Sequence, residues 1–270
     1  MSSTGKNFWE LCRNGHAWEI LEAIRNGADV NAEDENGIRP LGLAVMFNKE
    51  AGAVKVLLEN GAKMKIEERS YTQLMSFVMK NPPSYEVIKL LMDYGMLIDT
   101  RAYDGTTALI LASNENYSPI IESLIRAGAD VNASRSDGIT ALMMAARKNA
   151  PTVMRILLKH GAAVRAKDTN GMTALHHAAM NSQNPELVNM LIAAGAEDSK
   201  NASGKTALML AAMINAPEVL DALMMAGFDV TERDNDGKSA LDYARDNDKL
   251  KGSEAMRKLE EYSSGREAVR

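Results

Sequence analysis

Apolar and polar positions along this chain form two helical stretches and then a polar stretch, and the same arrangement recurs at a fixed interval. In residues 138–170, Leu142, Ala145 and Ala146 fall at positions i, i+3 and i+4, which predicts a helix with one apolar stripe. A second apolar stretch at residues 153–157 predicts another helix. Each unit is therefore expected to be two short helices followed by a long, turn-rich loop.

The residues at the ends of these stretches predict where each helix begins and ends. Thr140 supplies an N-cap oxygen, and Asn149 tolerates the left-handed conformation that ends a helix. Pro151 suits the first turn of the second helix, and Gly161 suits its left-handed C-terminus.

The repeated leucine gives the period of the pattern. Successive members lie 33 residues apart, apart from one interval of 35, and they are Leu41, Leu74, Leu109, Leu142, Leu175, Leu208 and Leu241. A helix pair of this length cannot bury both of its helices alone, so neighbouring units must stack. The chain is thus predicted to be all-α, with each repeated leucine contributing about 1.5–3 kcal/mol by burial.

Two phrases carry a family resemblance. Gly128–Ala133 and Gly27–Ala32 both read Gly-Ala-Asp-Val-Asn-Ala, and 138–142 reads Gly-Ile-Thr-Ala-Leu. The sequence resembles the ankyrin repeat over roughly residues 5–262, and resembles bacterial ankyrin proteins more than animal ones. The resemblance implies an α-solenoid of antiparallel helix pairs with β-hairpin loops projecting at right angles.

We expect one domain over residues 1–270 with about eight repeats. The approximate bounds are 5–36 for the N-terminal cap, 37–69, 70–104, 105–137, 138–170, 171–203, 204–236 and 237–262 for the C-terminal cap, with a polar tail at 263–270. The first helix of the N-terminal cap is predicted at 7–13, and the closing helix near 254–262.

Two departures from the family pattern affect the expected packing. The family usually places a histidine after the repeated leucine, where it helps to tie the loops together, and His176 alone keeps it. Met75, Ile110, Met143 and Met209 are among the residues that replace it. Asp198 stands where Val131 and Val164 stand in other repeats, which predicts a weaker joint between the repeats on either side.

Composition narrows the class of function. The net charge of −5 gives no electrostatic support for nucleic-acid binding. Cys12 is the one cysteine, so no internal disulfide is possible and a reducing cytosol fits best. Residues 1–7 lack the apolar core of a secretory signal, and no run of about 18 apolar residues exists. A cytoplasmic location with no membrane contact is expected.

No motif predicts catalysis, a metal site or a cofactor. Gly204-Lys-Thr206 resembles the end of a phosphate-binding loop, but Ser199 stands where that motif needs a glycine. His176 and His177 are adjacent on a helix and do not share a face, unlike metal ligands at i and i+4. Cys12 is interpreted as a buried or half-buried structural thiol and the loop acids as solvated or turn-forming residues, so we expect no enzyme.

The resemblance implies partner binding on the concave face, through the loop tips and the ends of the first helices. The predicted partner-binding residues are Phe47, Tyr71, Met79, Tyr103, Ile139, Arg147, Lys148, Met172, Met180, Met213 and Ile214. Exposed apolar groups gathered on one surface indicate an interface. The alternative is that the methionines and Phe47 fill gaps between neighbouring repeats. Trp9 and Trp18 are interpreted as packing of the N-terminal cap.

The sequence therefore predicts a monomeric, non-catalytic scaffold that binds another protein. An inhibitor or immunity-type regulator of one enzyme or toxin would use the same surface, and so would a secreted effector that acts on a host protein. Sequence alone does not separate these alternatives.

Overall fold

The chain forms two compact units of stacked helix pairs, residues 1–130 and 131–270. The computed structural model describes residues 7–63, 84–181, 184–214 and 217–265. The expected single domain over 1–270 stays a prediction.

Seven helices are described in the first unit, and six of them form pairs joined by short turns. They are α1 (Phe8–Asn14), α2 (Ala17–Arg25), α3 (Pro40–Phe47), α4 (Ala51–Glu59), α5 (Tyr85–Asp93), α6 (Ala108–Asn114) and α7 (Ser118–Arg126). Predicted position 7 is the N-cap of α1, because the Asn7 side chain accepts from the Glu10 N–H at 2.8 Å.

Eight helices are described in the second unit, again in pairs. They are α8 (Ala141–Arg147), α9 (Pro151–Lys159), α10 (Ala174–Asn181), α11 (Pro185–Ala193), α12 (Ala207–Ile214), α13 (Pro217–Met225), α14 (Ala240–Arg245) and α15 (Glu254–Ser263). The closing helix lies where the sequence predicts it. The all-α prediction is confirmed: the described residues contain no strand, only one isolated antiparallel bridge between Ser134 and Thr140.

The predicted helix ends are confirmed in the pair α8 and α9. Thr140 precedes α8, and its Oγ1 accepts from the Met143 N–H at 3.3 Å. Asn149 has a φ of 54°, which is the left-handed conformation expected after the first helix. Pro151 is the first residue of α9, and Gly161 follows its C-terminus with a φ of 82°.

The core of the second unit lies between repeats. First helices pack side by side in the order α8, α10, α12 and α14, and second helices in the order α9, α11, α13 and α15. Leu142, Leu175 and Leu208 are fully buried in this stack. Small alanines after each leucine, such as Ala145 and Ala178, are also fully buried and let the helices approach closely.

The loops of the second unit are tight turns joined to one another by main-chain hydrogen bonds. The Asp168 N–H donates to the Met172 carbonyl at 2.9 Å, and the Gly171 N–H donates to the Asp168 carbonyl at 2.8 Å. These turns are too short to form the strands of a regular hairpin. The Thr169 N–H donates to the Asp137 carbonyl in the preceding loop at 2.9 Å. Equivalent bonds join Ala202 to Asn170 and Asn235 to Ser203, so loop bracing persists in repeats that lack the family histidine.

Candidate binding surfaces

Five predicted residues of the second unit lie at the C-terminal ends of α8, α10 and α12. We call them the helix-end surface: Arg147, Lys148, Met180, Met213 and Ile214. Arg147, Met180 and Met213 occupy equivalent positions in successive repeats, and their helices pack side by side. The structure thus brings the five residues to one edge of the stack. Arg147 and Lys148 are exposed, and Met180 is half-buried.

Met213 and Ile214 are the exposed apolar part of the helix-end surface, at 37% and 38% of their full exposure. By contrast, Met143, Met144 and Met209 are at most 6% exposed in the same helices. Packing between repeats therefore accounts for the latter methionines and not for Met213 and Ile214.

Two predicted loop-tip residues of this unit are not at the surface. Ile139 and Met172 are each only 8% exposed. Their main-chain atoms close the loop turns, and the Met172 Sδ accepts from Asn201 Nδ2 in the next loop at 3.4 Å. The side chain after the turn glycine is folded beneath the loop, so the expected exposure is corrected and neither residue belongs to the surface.

In the first unit, Phe47 and Tyr103 are exposed as predicted. Phe47 is 39% exposed at the end of α3, and the Arg13 guanidinium carbon lies 4.4 Å from its ring centre, a cation–π contact. Tyr103 is fully exposed at a loop tip. The predicted residues Tyr71 and Met79 lie outside the described residues.

The two tryptophans of the N-terminal cap differ in their packing. Trp9 packs partly buried against the core of the first unit and contacts the Phe8 ring edge-on, with ring centres 6.5 Å apart. Trp18 is 60% exposed on α2, so the interpretation as cap packing is wrong for this residue.

His176 has the loop-bracing role that the resemblance implies. The Thr173 N–H lies 3.1 Å from Nδ1, and an amide N–H is always a donor, so Nδ1 accepts and Nε2 carries the proton. Nε2 then donates to the Lys205 carbonyl of the next loop at 3.2 Å. Burial lowers the pKa of His176, and the hydrogen bonds to main-chain carbonyls oppose this effect. A neutral histidine therefore joins two repeats.

The segment Gly204-Lys-Thr206 forms the start of a repeat and not a phosphate site. Thr206 caps α12 by accepting from the Met209 N–H at 3.3 Å. The Lys205 ammonium pairs with the buried carboxylate of Asp234 in the next loop. The cation that a phosphate would need is thus already paired.

Asp198 is a partly buried carboxyl at the predicted weak joint. Its Oδ1 atom is buried and has no hydrogen-bond partner among the described residues. Burial raises the pKa of Asp198 to about 6, while the Asp229 N–H lowers it and the charges of Glu232 and Asp229 raise it. The hydroxyl of the neighbouring Ser199 is also buried without a partner among the described residues. This position is polar and incompletely satisfied.

The other reactive side chains are also structural. His177 Nε2 lies 3.1 Å from Asp168 Oδ2 in the loop just before its own helix, and burial lowers the pKa of this histidine. Cys12 is fully buried, as predicted, and burial raises the pKa of its thiol to about 12, so it stays protonated.

Over the described part of the chain, no group of three or more potential ligands is placed to hold a metal ion. Among the described helices, none has the length and apolar character to cross a bilayer.

Comparison with known proteins decides the family. The family described as Ankyrin repeats (3 copies) matches residues 8–102, 49–135, 109–198 and 182–262. The chain belongs to the ankyrin-repeat family. Ankyrin repeats are in general protein-interaction domains without catalytic activity.

Three relatives resemble parts of this ankyrin-repeat protein. Ankyrin repeat domain-containing protein SAT10 of Stachybotrys chartarum is 31% identical over 124 residues, which cover 46% of this chain and 6% of that protein. Ankyrin repeat-containing protein P1E11.10 of Schizosaccharomyces pombe is 32% identical over 69 residues, or 26% of this chain and 33% of that protein. The B-cell lymphoma 3 protein homolog of Mus musculus is 29% identical over 112 residues, which cover 41% of this chain and 25% of that protein. The match spans at most a third of each relative, so it supports the repeat and not a particular activity.

In the first unit of this ankyrin-repeat protein, the exposure of Tyr94 and Leu97 was not predicted from the sequence. Tyr94 and Leu97 are 50% and 75% exposed after α5. Leu97 stands where Asp29 and Asp130 stand in other repeats. A large apolar residue in a column whose other members are polar or alanine is the signal that was available.

Proposed function

We propose that this ankyrin-repeat protein is a non-catalytic binding module that holds a partner protein on the helix-end surface. The observation that carries the proposal is the exposure of Met213 and Ile214, two consecutive apolar residues beside the half-buried Met180. Apolar side chains that packing does not require stabilise a complex by leaving water when a partner binds. Methionine adapts to irregular partner surfaces because its side chain is flexible and polarizable.

The side chains around this surface hold the helix ends without covering the apolar residues. Lys249 Nζ donates to the Ile214 carbonyl at 3.2 Å, and Asn181 Nδ2 donates to the His177 carbonyl at 2.9 Å. Both contacts satisfy carbonyls near a helix C-terminus. The Lys249 contact supports a fixed position of Ile214, which lowers the entropy lost on binding.

The proposal also places the protein in the cytoplasm as a monomer. The lone, buried Cys12 suits a reducing compartment. Inhibition of an enzyme or toxin, or action on a host protein after secretion, would use the same surface and would differ only in the partner. Size-exclusion chromatography with light scattering tests the monomer.

Recovery of the partner from the cells that naturally make the protein tests the proposal. Tagged wild-type protein is compared with a Met213→Ala/Ile214→Ala variant and with Met225→Ala as a matched control. Met225 is 70% exposed at the end of α13 and is not part of the helix-end surface. We expect a partner that is retained by wild type and Met225→Ala and lost by the double variant. Equal recovery by all three proteins would contradict the proposal.

A further inference from the structure

We infer that the helix-end surface recognises an extended, acidic–apolar segment of its partner, whose carboxylate meets Arg147 and Lys148 and whose apolar side chain meets Met213 and Ile214. This inference rests on the proposed function and adds the chemistry of the partner. It depends on the pairing state of the two cations, on the order of charges along the repeats and on the spacing of the helices.

Arg147 and Lys148 are unpaired among the described residues of the second unit. The next two arginines along the chain are paired: Arg155 with Glu186 at 3.0 Å and Arg165 with Glu197 at 2.6 Å. No ion pair within the described residues includes Arg147 or Lys148, although both are exposed. Their positive charge therefore remains available to a carboxylate from another molecule.

The charges along the equivalent positions give the surface a direction. Arg147, Met180, Met213 and Asp246 follow one another at intervals of 33 residues, so the order is cation, apolar, apolar, anion. Asp246 is exposed at the C-cap of α14. A partner segment with its acidic end over Arg147 gains attraction there, whereas the reverse orientation places that end against Asp246 and is repelled.

The helix spacing sets the distance between the two parts of the partner segment. Packed helices lie about 8–10 Å apart, so the two steps from α8 to α12 cover about 16–20 Å. An extended chain rises about 3.3 Å per residue. The acidic and apolar residues of the partner should therefore be about five or six positions apart.

A selection from a library of random displayed peptides on the full chain tests the inference. Peptides that bind wild type are then measured in solution against Lys148→Glu and Lys159→Glu. Lys148 is the C-cap of α8, and Lys159 is the last residue of α9. Both lysines are exposed at a helix C-terminus, so the two variants change the helix dipole interaction alike.

We expect the selected peptides to carry Asp or Glu about five or six residues from a large apolar residue. Lys148→Glu should weaken their binding about tenfold, because one attractive pair becomes repulsive, while Lys159→Glu should change it less than twofold. Peptides with lysine in place of the acid should recover affinity for Lys148→Glu. Equal effects of the two variants would overturn the inference.

Two further outcomes separate this inference from the proposed function. Selected peptides that lose binding in Met213→Ala/Ile214→Ala but carry no acidic residue would overturn the inference and leave the proposed function standing. Selected peptides that are insensitive to that double variant would contradict both. A single-stranded oligonucleotide that bound more tightly than the acidic peptides, and lost its binding in Lys148→Glu, would overturn the inference in favour of a nucleic-acid partner.

Discussion

The Nζ atom of Lys205 lies 2.9 Å from Oδ2 of Asp234, although the two residues belong to successive loops. The Tyr243 hydroxyl donates to the same oxygen at 2.5 Å, and Oδ1 accepts from the N–H groups of Asp236 and Lys238. Burial alone would raise the pKa of Asp234, but these hydrogen bonds hold it well below its usual range. One ionised carboxylate therefore closes its own turn and joins two repeats.

Lys205→Met should lower the free energy of unfolding near pH 7 by about 1–3 kcal/mol, because it leaves the buried carboxylate of Asp234 with one partner fewer. The pKa of Asp234 is depressed in the folded state, so the stability it contributes is present above its ordinary value of 3.8 and is lost as the pH falls below it. The difference in free energy of unfolding between wild type and Lys205→Met should thus be smaller near pH 3. Urea unfolding at both pH values measures this.

Lys200→Met is the matched control for that prediction. The Lys200 side chain is 43% exposed, and it pairs with the exposed Glu232 at 2.6 Å. An exposed pair contributes about 0–1 kcal/mol. If Lys205→Met cost no more than Lys200→Met, the Asp234 contact would not stabilise the joint.

Asp198→Asn should stabilise the protein near pH 7.5 by about 1–2 kcal/mol. The effect is no larger because the carboxyl is partly exposed and solvent screens its charge. The amide keeps an acceptor for the Asp229 N–H and removes the buried charge. Because burial raises the pKa of Asp198 to about 6, the folded state binds its proton more tightly than the unfolded state. Stability is therefore lost as the pH rises from about 4 to 6, and the gain should vanish near pH 4. Thermal melts at the two pH values check this, and an equal gain at both would show that the charge is not the cause.

His176→Met should destabilise the second unit by about 1–3 kcal/mol near pH 7.5, because the Lys205 carbonyl loses its donor. A methionine side chain should fit at this position, since Met143 and Met209 are buried at equivalent positions. The pKa of His176 is lowered in the folded state, so its contribution is present above its ordinary value of 6.5 and is lost as the pH falls below it. The urea midpoints of wild type and His176→Met should therefore differ near pH 7.5 and lie closer together near pH 5.5. His160→Met, at an exposed histidine, is the control and should have little effect at either pH.

The repeat was predictable because its signals are local. The spacing of Leu142 from its equivalents, the capping Thr140 and the left-handed Asn149 each follow from short-range geometry. The exposure of Ile139 and Met172 was not predictable, because the direction of a side chain after a turn depends on how the next loop lies against it. Local sequence rules hold no information on that contact.

The close approach of successive loops gives a final prediction, from a comparison of two glycines. Gly195 and Gly204 both have left-handed backbones, with φ of +91° and +75°. A Cβ atom would meet nothing within 4 Å at Gly195, but at Gly204 it would lie 2.7 Å from the backbone N of Asn235. Gly195→Ala should cost about 1–2 kcal/mol, the penalty for a left-handed alanine alone. Gly204→Ala must also displace Asn235, whose N–H donates to the Ser203 carbonyl at 3.1 Å, and should cost about 1–3 kcal/mol more. Urea unfolding of the two variants measures the difference, and coincident midpoints would mean that the loops do not pack as closely as the structure shows.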